Sequence, residues 1–131
     1  MLFGVSDGGA HTKFLTAGRY PTETLAQQVR DNQWLTYEEA HRRLSGLPAQ
    51  LAGFQDRGLL RTGGPADVVV YDPENLAVGE NHVVEDLPGG EWRRVQRASG
   101  YHAVVVNGER TIIDDEQTET HSGRLLRHGR G

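Results

Sequence analysis

The residues best equipped for chemistry come almost at the start. In the stretch GVSDGGAH, residues 4–11, the acid Asp7 is followed by Gly8 and Gly9 and then, four positions after the acid, by His11. Three readings fit this spacing. Asp-Gly is a common turn pair, because aspartate bonds its own backbone and glycine accepts positive φ. Two adjacent glycines can also expose N–H groups as an anion-binding nest. The third reading is a metal or acid/base site, in which an aspartate at the C-terminal end of a strand binds a cation and exchanges protons with a bound water. Position favours the third: Leu2, Phe3 and Val5 form an apolar approach, and glycines after the acid let a ligand come close.

The remaining histidines offer less. His41 falls on the exposed side of a capped helix, His82 in a loop, His102 in a strand alternating with valines, and His121 and His128 in the tail. There is no His-x-His pair and no two histidines stand three or four apart, so the spacing predicts no self-contained zinc site. These five read as surface or structural residues. Lys13, the only lysine, reads as a solvated loop residue.

The elements that must position Asp7 and His11 are read from pattern. Thr22, after Pro21, is a cap for a helix over about 22–32 with Leu25 and Val29 one turn apart. Thr36 and Glu39 form a capping box, Leu35 is placed for a staple against Ala40, and Ala40, Leu44 and Leu47 share one side of a second helix that Gly46 ends. Pro48 then opens a third short helix. From about Gly58 glycine pairs punctuate valine-rich runs, so strands replace helices. Residues 67–71 form a strand whose consecutive valines predict burial on both faces, stopped by Asp72 and Pro73. Residues 73–90 read as a loop, 91–99 as an edge strand, and Asn107-Gly108 as a type I′ turn between two apolar strands. The chain thus divides near residue 58 into two parts, neither of which looks self-sufficient.

Bulk properties exclude several classes. A chain of 131 residues supports one real core but not a complete large barrel enzyme. With 36% hydrophobic and 24% charged residues and a formal net charge of -4, it reads as an ordinary soluble protein. Its arginines alternate with acids, and the densest group, Arg93, Arg94 and Arg97, suits a solvated strand face, so no nucleic-acid partner is expected. The absence of cysteine fits a reducing compartment, and cytoplasm is the default. No apolar run reaches membrane-span length, and the apolar start meets Ser6 and Asp7 too soon for a signal peptide.

With these residues in view, the chain resembles the C-terminal portion of the metal-dependent amidohydrolase superfamily, most closely its N-acyl-D-amino-acid deacylase branch. SDGGAH resembles the segment ending the eighth strand of a TIM barrel, and LTYEEAHRRLSGLPAQLAGFQDRGLL resembles the helices after it. RTGGPADVVVYDP, with Gly63, Ala66, Asp67 and Val68, resembles the strand returning to a small β-sandwich, and VVVNGERTI with SGRLLRHG resembles its closing hairpin and terminus. The resemblance implies an α+β piece: residues 1–58 as last barrel strand and helices, 59–131 as part of the sandwich. It implies that Asp7 binds the metal, zinc, and serves as general base and then acid. His11 resembles the residue contacting the substrate carboxylate, with Gly8 and Gly9 beside it. Asp114-Asp115-Glu116 departs from the family's usual Asp-Gly turn. The other metal ligands would lie upstream of Met1, so the chain is expected to be the last quarter or so of a longer enzyme.

The substrate class implied is a small N-acyl-D-amino acid, hydrolysed to a carboxylate and a D-amino acid. The 131-residue piece is expected to be inactive, to bind no zinc of its own and to self-associate through exposed apolar surface. Two other readings remain: a non-catalytic β-rich binding or assembly module, and an amidohydrolase of the dihydroorotase or hydantoinase type.

Overall fold

A computed structural model of the chain describes Ser6 and residues 8–129. The fold is α+β, with helical segments first and two antiparallel sheets after them. A 3-10 turn at Ala17–Arg19 leads into α1 (Tyr20–Glu23), which continues as wider π-helical turns over Thr24–Asp31. The helix thus begins earlier than predicted. Pro21 sits in its first turn, where a missing N–H is harmless. Thr22 is no cap: it is buried, and its hydroxyl hydrogen-bonds the Tyr101 hydroxyl at 2.7 Å.

The second helix starts as predicted, with Thr36 Oγ1 accepting the Glu39 N–H at 3.2 Å before α2 (Tyr37–His41). Only half of the capping box forms, because the Glu39 carboxylate turns to Arg43, 2.6 Å away. Gly46 does not end the helix. The chain runs on through π-turns at Arg42–Gly46 into α3 (Leu47–Leu51), and Gly46 keeps helical dihedrals. Pro48 cannot donate the ordinary i→i−4 bond, and the wider turn just before it accommodates that loss without a break.

Four strands form one sheet in the order β1-β4-β5-β6: β1 (Val68–Tyr71), β4 (Tyr101–Val106), β5 (Glu109–Ile113) and β6 (Glu116–Gln117). Asn107 and Gly108 take φ of 49° and 88°, as a type I′ turn requires, and join β4 to β5. Asp114 and Asp115, also at positive φ, turn β5 into β6. The Asp115 carboxylate then accepts the N–H groups of Gly100 and Tyr101 at 3.0 and 2.7 Å, so the departure from Asp-Gly gains a cap for the start of β4. The Asp72 carboxylate, bonded by Asn75 Nδ2 and the Glu74 N–H, ends β1 as expected and is held below the usual carboxylate range by those donors.

Two expectations fail in the second half. Residues 73–90 are not a loop: β2 (Ala77–Leu87) pairs antiparallel with β3 (Glu91–Ser99) in a long two-stranded hairpin, turned at Gly89 and Gly90. Nor are the β1 valines buried on both faces, since β1 is the end strand of its sheet and Val69 and Val70 are 52% and 45% exposed. Arg93 pairs with Asp86 through two bonds of 2.7 and 2.6 Å on the solvated face of β3, as the spacing suggests.

The buried cluster is therefore mostly helical: Leu25, Val29 and Ala40 with Leu76, flanked by Leu35, Tyr37, Leu44, Tyr71 and Tyr101. Leu76, only 1% exposed, is held there by Arg30 Nη1, which donates to its carbonyl at 2.7 Å. Gly100, at φ 96°, lies against this corner, and a Cβ there would stand 2.8 Å from Leu76 Cα. Gly100→Ala is expected to lower stability by about 2 kcal/mol through backbone strain and displacement of Leu76, read as a fall in urea midpoint.

Tyr71 supplies a pH test. Burial, reinforced by Tyr37 and Tyr101, pushes its hydroxyl from the ordinary 10 up to about 12, while His41 Nε2 lies 2.8 Å from it. The folded value exceeds the unfolded one, so this contribution to stability is complete below pH 10 and disappears as pH rises to 12. The urea midpoint should fall across that window, and Tyr71→Phe should flatten the fall. Among the described residues no helix is long and apolar enough to cross a membrane.

Candidate functional site

Asp7 and the apolar approach of residues 1–5 lie outside the described residues. The Gly8 N–H donates to Ser6 Oγ at 3.2 Å, which occupies one of the donors an anion nest would need. A Cβ on Gly8 would meet Ser6 Oγ at 3.1 Å and Gly18 Cα at 3.7 Å, so Gly8 is packed over the start of the 3-10 segment. Gly9 has open space around it. His11 is exposed and takes a left-handed φ of 53°, and its carbonyl accepts the N–H groups of Phe14 and Leu15 at 2.7 and 2.9 Å. Such a backbone persists in a non-glycine residue only where neighbours hold it.

The neighbours belong to β3. The Arg94 N–H donates to Thr12 O at 2.8 Å and Arg94 Nε to Lys13 O at 3.0 Å. Lys13 is not simply solvated: its ammonium pairs with Glu91 and sits 5.2 Å from the centre of the Trp92 ring, and its proximity holds the Glu91 carboxyl below the usual range. Gln96 Oε1 accepts from Thr16 Oγ1 at 2.6 Å and from Arg19 Nη1 at 2.9 Å. No sequence pattern links these partners, which stand 77 to 82 positions apart.

The other histidines are structural or exposed. His41 bridges α2 to β1 through Tyr71, His128 places Nδ1 2.9 Å from Ala52 O, and His102 Nδ1 lies 3.8 Å from Asp114 Oδ1. Among the described residues no three His, Asp or Glu side chains come together in a way that could hold a metal ion, so those residues do not make a metal centre by themselves.

A second polar centre has no counterpart in the sequence reading. The Arg57 side chain, 8% exposed, bonds Asp56 Oδ2 at 2.7 Å, Asp67 Oδ2 at 2.9 Å and Asn107 Oδ1 at 3.1 Å. Asp67 Oδ1 in turn accepts the Asn107 N–H at 2.7 Å. The Asp67 of the Gly-x-x-Ala-Asp run and the Val-Asn-Gly turn, modest signals separately, are thus two sides of one clasp. A groove of about 430 Å³ opens beside it, lined by Leu44, Ala49, Phe54 and Leu59, and no residue of the 8–11 stretch borders it. The clasp ties the segment at residues 56–57 to the start of β1 and the β4–β5 turn, and no residue of 8–11 takes part in it.

A model of the Amidohydrolase family matches residues 3–112. N-acyl-D-aspartate deacylase of Alcaligenes xylosoxydans xylosoxydans is 37% identical over 97 residues, 74% of this chain and 18% of that protein. N-acyl-D-glutamate deacylase of the same organism is 32% identical over 81% of the chain and 20% of its own length. D-aminoacylase, also from that organism, is 33% identical over 83% of the chain and 20% of its own length. Among solved structures, a D-aminoacylase described as defining a novel subset of amidohydrolases superposes with a TM-score of 0.66 at 31% identity, over 82% of this chain and 21% of that one. A further D-aminoacylase structure, concerned with the functional role of its binuclear metal center, has a TM-score of 0.65 at 30% identity over the same shares. The chain spans about a fifth of the length of these relatives.

Proposed function

This chain belongs to the amidohydrolase family, and from that premise we propose that it is part of a hydrolase cleaving the amide of N-acyl-D-amino acids. One observation carries the reading: most of the chain aligns with three deacylases whose names share the D-amino acid and differ in its side chain. The D-amino acid class is therefore proposed, and no side-chain preference. The same names favour a deacylase over the dihydroorotase or hydantoinase type.

In this reading residues 1–58 complete a barrel with its last strand and the helices after it, and 59–131 contribute part of a small sandwich. Asp7 is the general base: its carboxylate takes a proton from the attacking water as the C–O bond forms, then delivers it to the nitrogen as the C–N bond breaks. The His11 imidazole binds the substrate carboxylate with Gly8 and Gly9 beside it, and the open space at Gly9 lets the substrate come close. Zinc is the metal expected from the family resemblance. The described residues contain no set that could hold it, so Asp7 would need partners from other segments of the full protein. The full protein is proposed to act in the cytoplasm.

Release of D-amino acid from N-acetyl-D-amino acids by the full-length protein tests the reading; a purified enzyme that turns over none of them would overturn it. The 131-residue chain alone is expected to show no turnover and no stoichiometric zinc. It should also self-associate through exposed Val69, Val70, Leu59 and Leu60, which sedimentation velocity would register as species heavier than 14.5 kDa.

A further inference from the structure

We infer that strand β3 is a strap that positions the His11 segment, with Gln96 and Arg94 as its positioning residues; this rests on reading Asp7 and His11 as active-site groups. The segment after His11 has little else to hold it. Phe14 and Leu15 are 80% and 48% exposed, so apolar burial does not fix residues 11–15. Polar bonds to β3 do. The Arg94 backbone takes the Thr12 carbonyl and its side chain the Lys13 carbonyl, just outside the turn closed by the His11 carbonyl.

Gln96 is the second tie, bonded through both the oxygen and the nitrogen of its amide. Oε1 accepts from Thr16 and Arg19, while Nε2 donates to Gly79 O at 2.7 Å and so anchors the side chain to β2. The two ties grip the segment at 12–13 and at 16–19, on either side of the exposed apolar pair. A left-handed His11 backbone is held only as firmly as these contacts hold it, and that backbone sets the direction in which its Cβ leaves the chain. The β2–β3 hairpin thus acts on the substrate from a distant part of the sequence without touching it. Its influence should appear in binding rather than in the chemical step.

The test uses the full-length protein. Gln96→Ala should speed amide hydrogen exchange across residues 12–19 by about tenfold or more and raise KM for an N-acetyl-D-amino acid about tenfold, with kcat within about threefold. Gln96→Glu keeps an acceptor for Thr16 and Arg19 but loses the donor to Gly79 O, so it should recover only part of the KM loss, to within about fivefold of wild type. Arg94→Ala should act in the same direction but less, because the backbone bond to Thr12 remains. Unchanged exchange in Gln96→Ala would overturn the strap itself, and loosened exchange with unchanged KM would overturn its positioning role. Asp7→Asn in the same assay keeps the two readings apart. If it is inactive while Gln96→Ala has a normal KM, only the strap fails; if it is fully active, the active-site reading fails.

Discussion

Replacing Arg57 by alanine is expected to lower the stability of the fold by about 3 kcal/mol, as a fall in urea midpoint with little change in slope. The guanidinium is shared by three acceptors: the carboxylates of Asp56 and Asp67 and the side-chain oxygen of Asn107. Removing it leaves two like charges facing each other across a nearly buried gap, and Asp56 Oδ1 already lacks a hydrogen-bond partner among the described residues. Breaking a fully buried pair typically costs about 3–5 kcal/mol, and the lower end applies because the Asp56 and Asp67 side chains keep 28% and 37% exposure. The loss would also propagate. Asn107 anchors the β4–β5 turn, donates through Nδ2 to Ser122 O at 2.7 Å and accepts from Arg124 at 3.0 Å, so the C-terminal segment loosens with it. Arg57→Lys should recover part of the loss, since a single ammonium can satisfy one carboxylate but not the three-way fork. A midpoint unchanged in the alanine variant would show that the clasp contributes nothing net.

The contrast between Arg57 and Asn107 marks what the sequence can disclose. Asn107-Gly108 is legible because the turn is decided by two adjacent residues that accept positive φ. Thr36 with Glu39 is legible for the same reason, although Glu39 prefers the nearby Arg43 and completes only half of the box. Arg57 is illegible because its partners Asp56, Asp67 and Asn107 are spread along the chain, the last of them 50 positions away, and only the fold brings them together. Strand β2 escapes a sequence reading for a different reason. Gly79, Glu80, Asn81 and His82 give AVGENHVVEDL little extended preference, and the strand is held by pairing with β3 rather than by a buried face. The β1 valines mislead in the opposite direction, since three apolar residues in a row state what a strand could bury and not whether a second layer is present.

The same distinction governs the candidate site. Asp7 and His11 stand out because acid, glycines and histidine are crowded into a few positions, a local signal. The strap that holds His11 is nonlocal and leaves no such trace, and Lys13, whose type and setting suggest a solvated side chain, is one of its ends. In the proposed site neither half acts alone: the first half carries Asp7 and His11, and the hairpin of the second bonds Thr12, Lys13, Thr16 and Arg19 just beyond them.

The largest effect on activity is therefore expected at Asp7. In the full-length protein, Asp7→Asn should reduce kcat for an N-acetyl-D-amino acid by about 10²–10⁴-fold, the usual contribution of a positioned general base. The substitution keeps shape and removes the proton acceptor, so the thermal midpoint should stay close to wild type while the acid limb of the kcat/KM profile disappears. His11→Ala should behave differently, raising KM while leaving kcat nearly intact, because a group that binds the substrate carboxylate interacts equally in ground and transition states. The pair of variants separates the three chemistries that the spacing allows. A turn or an anion nest predicts that Asp7→Asn is tolerated within about tenfold, since asparagine serves a turn as well as aspartate does. Only the metal or acid/base reading makes the carboxylate itself indispensable, and a variant retaining most of its kcat would remove Asp7 from the reaction.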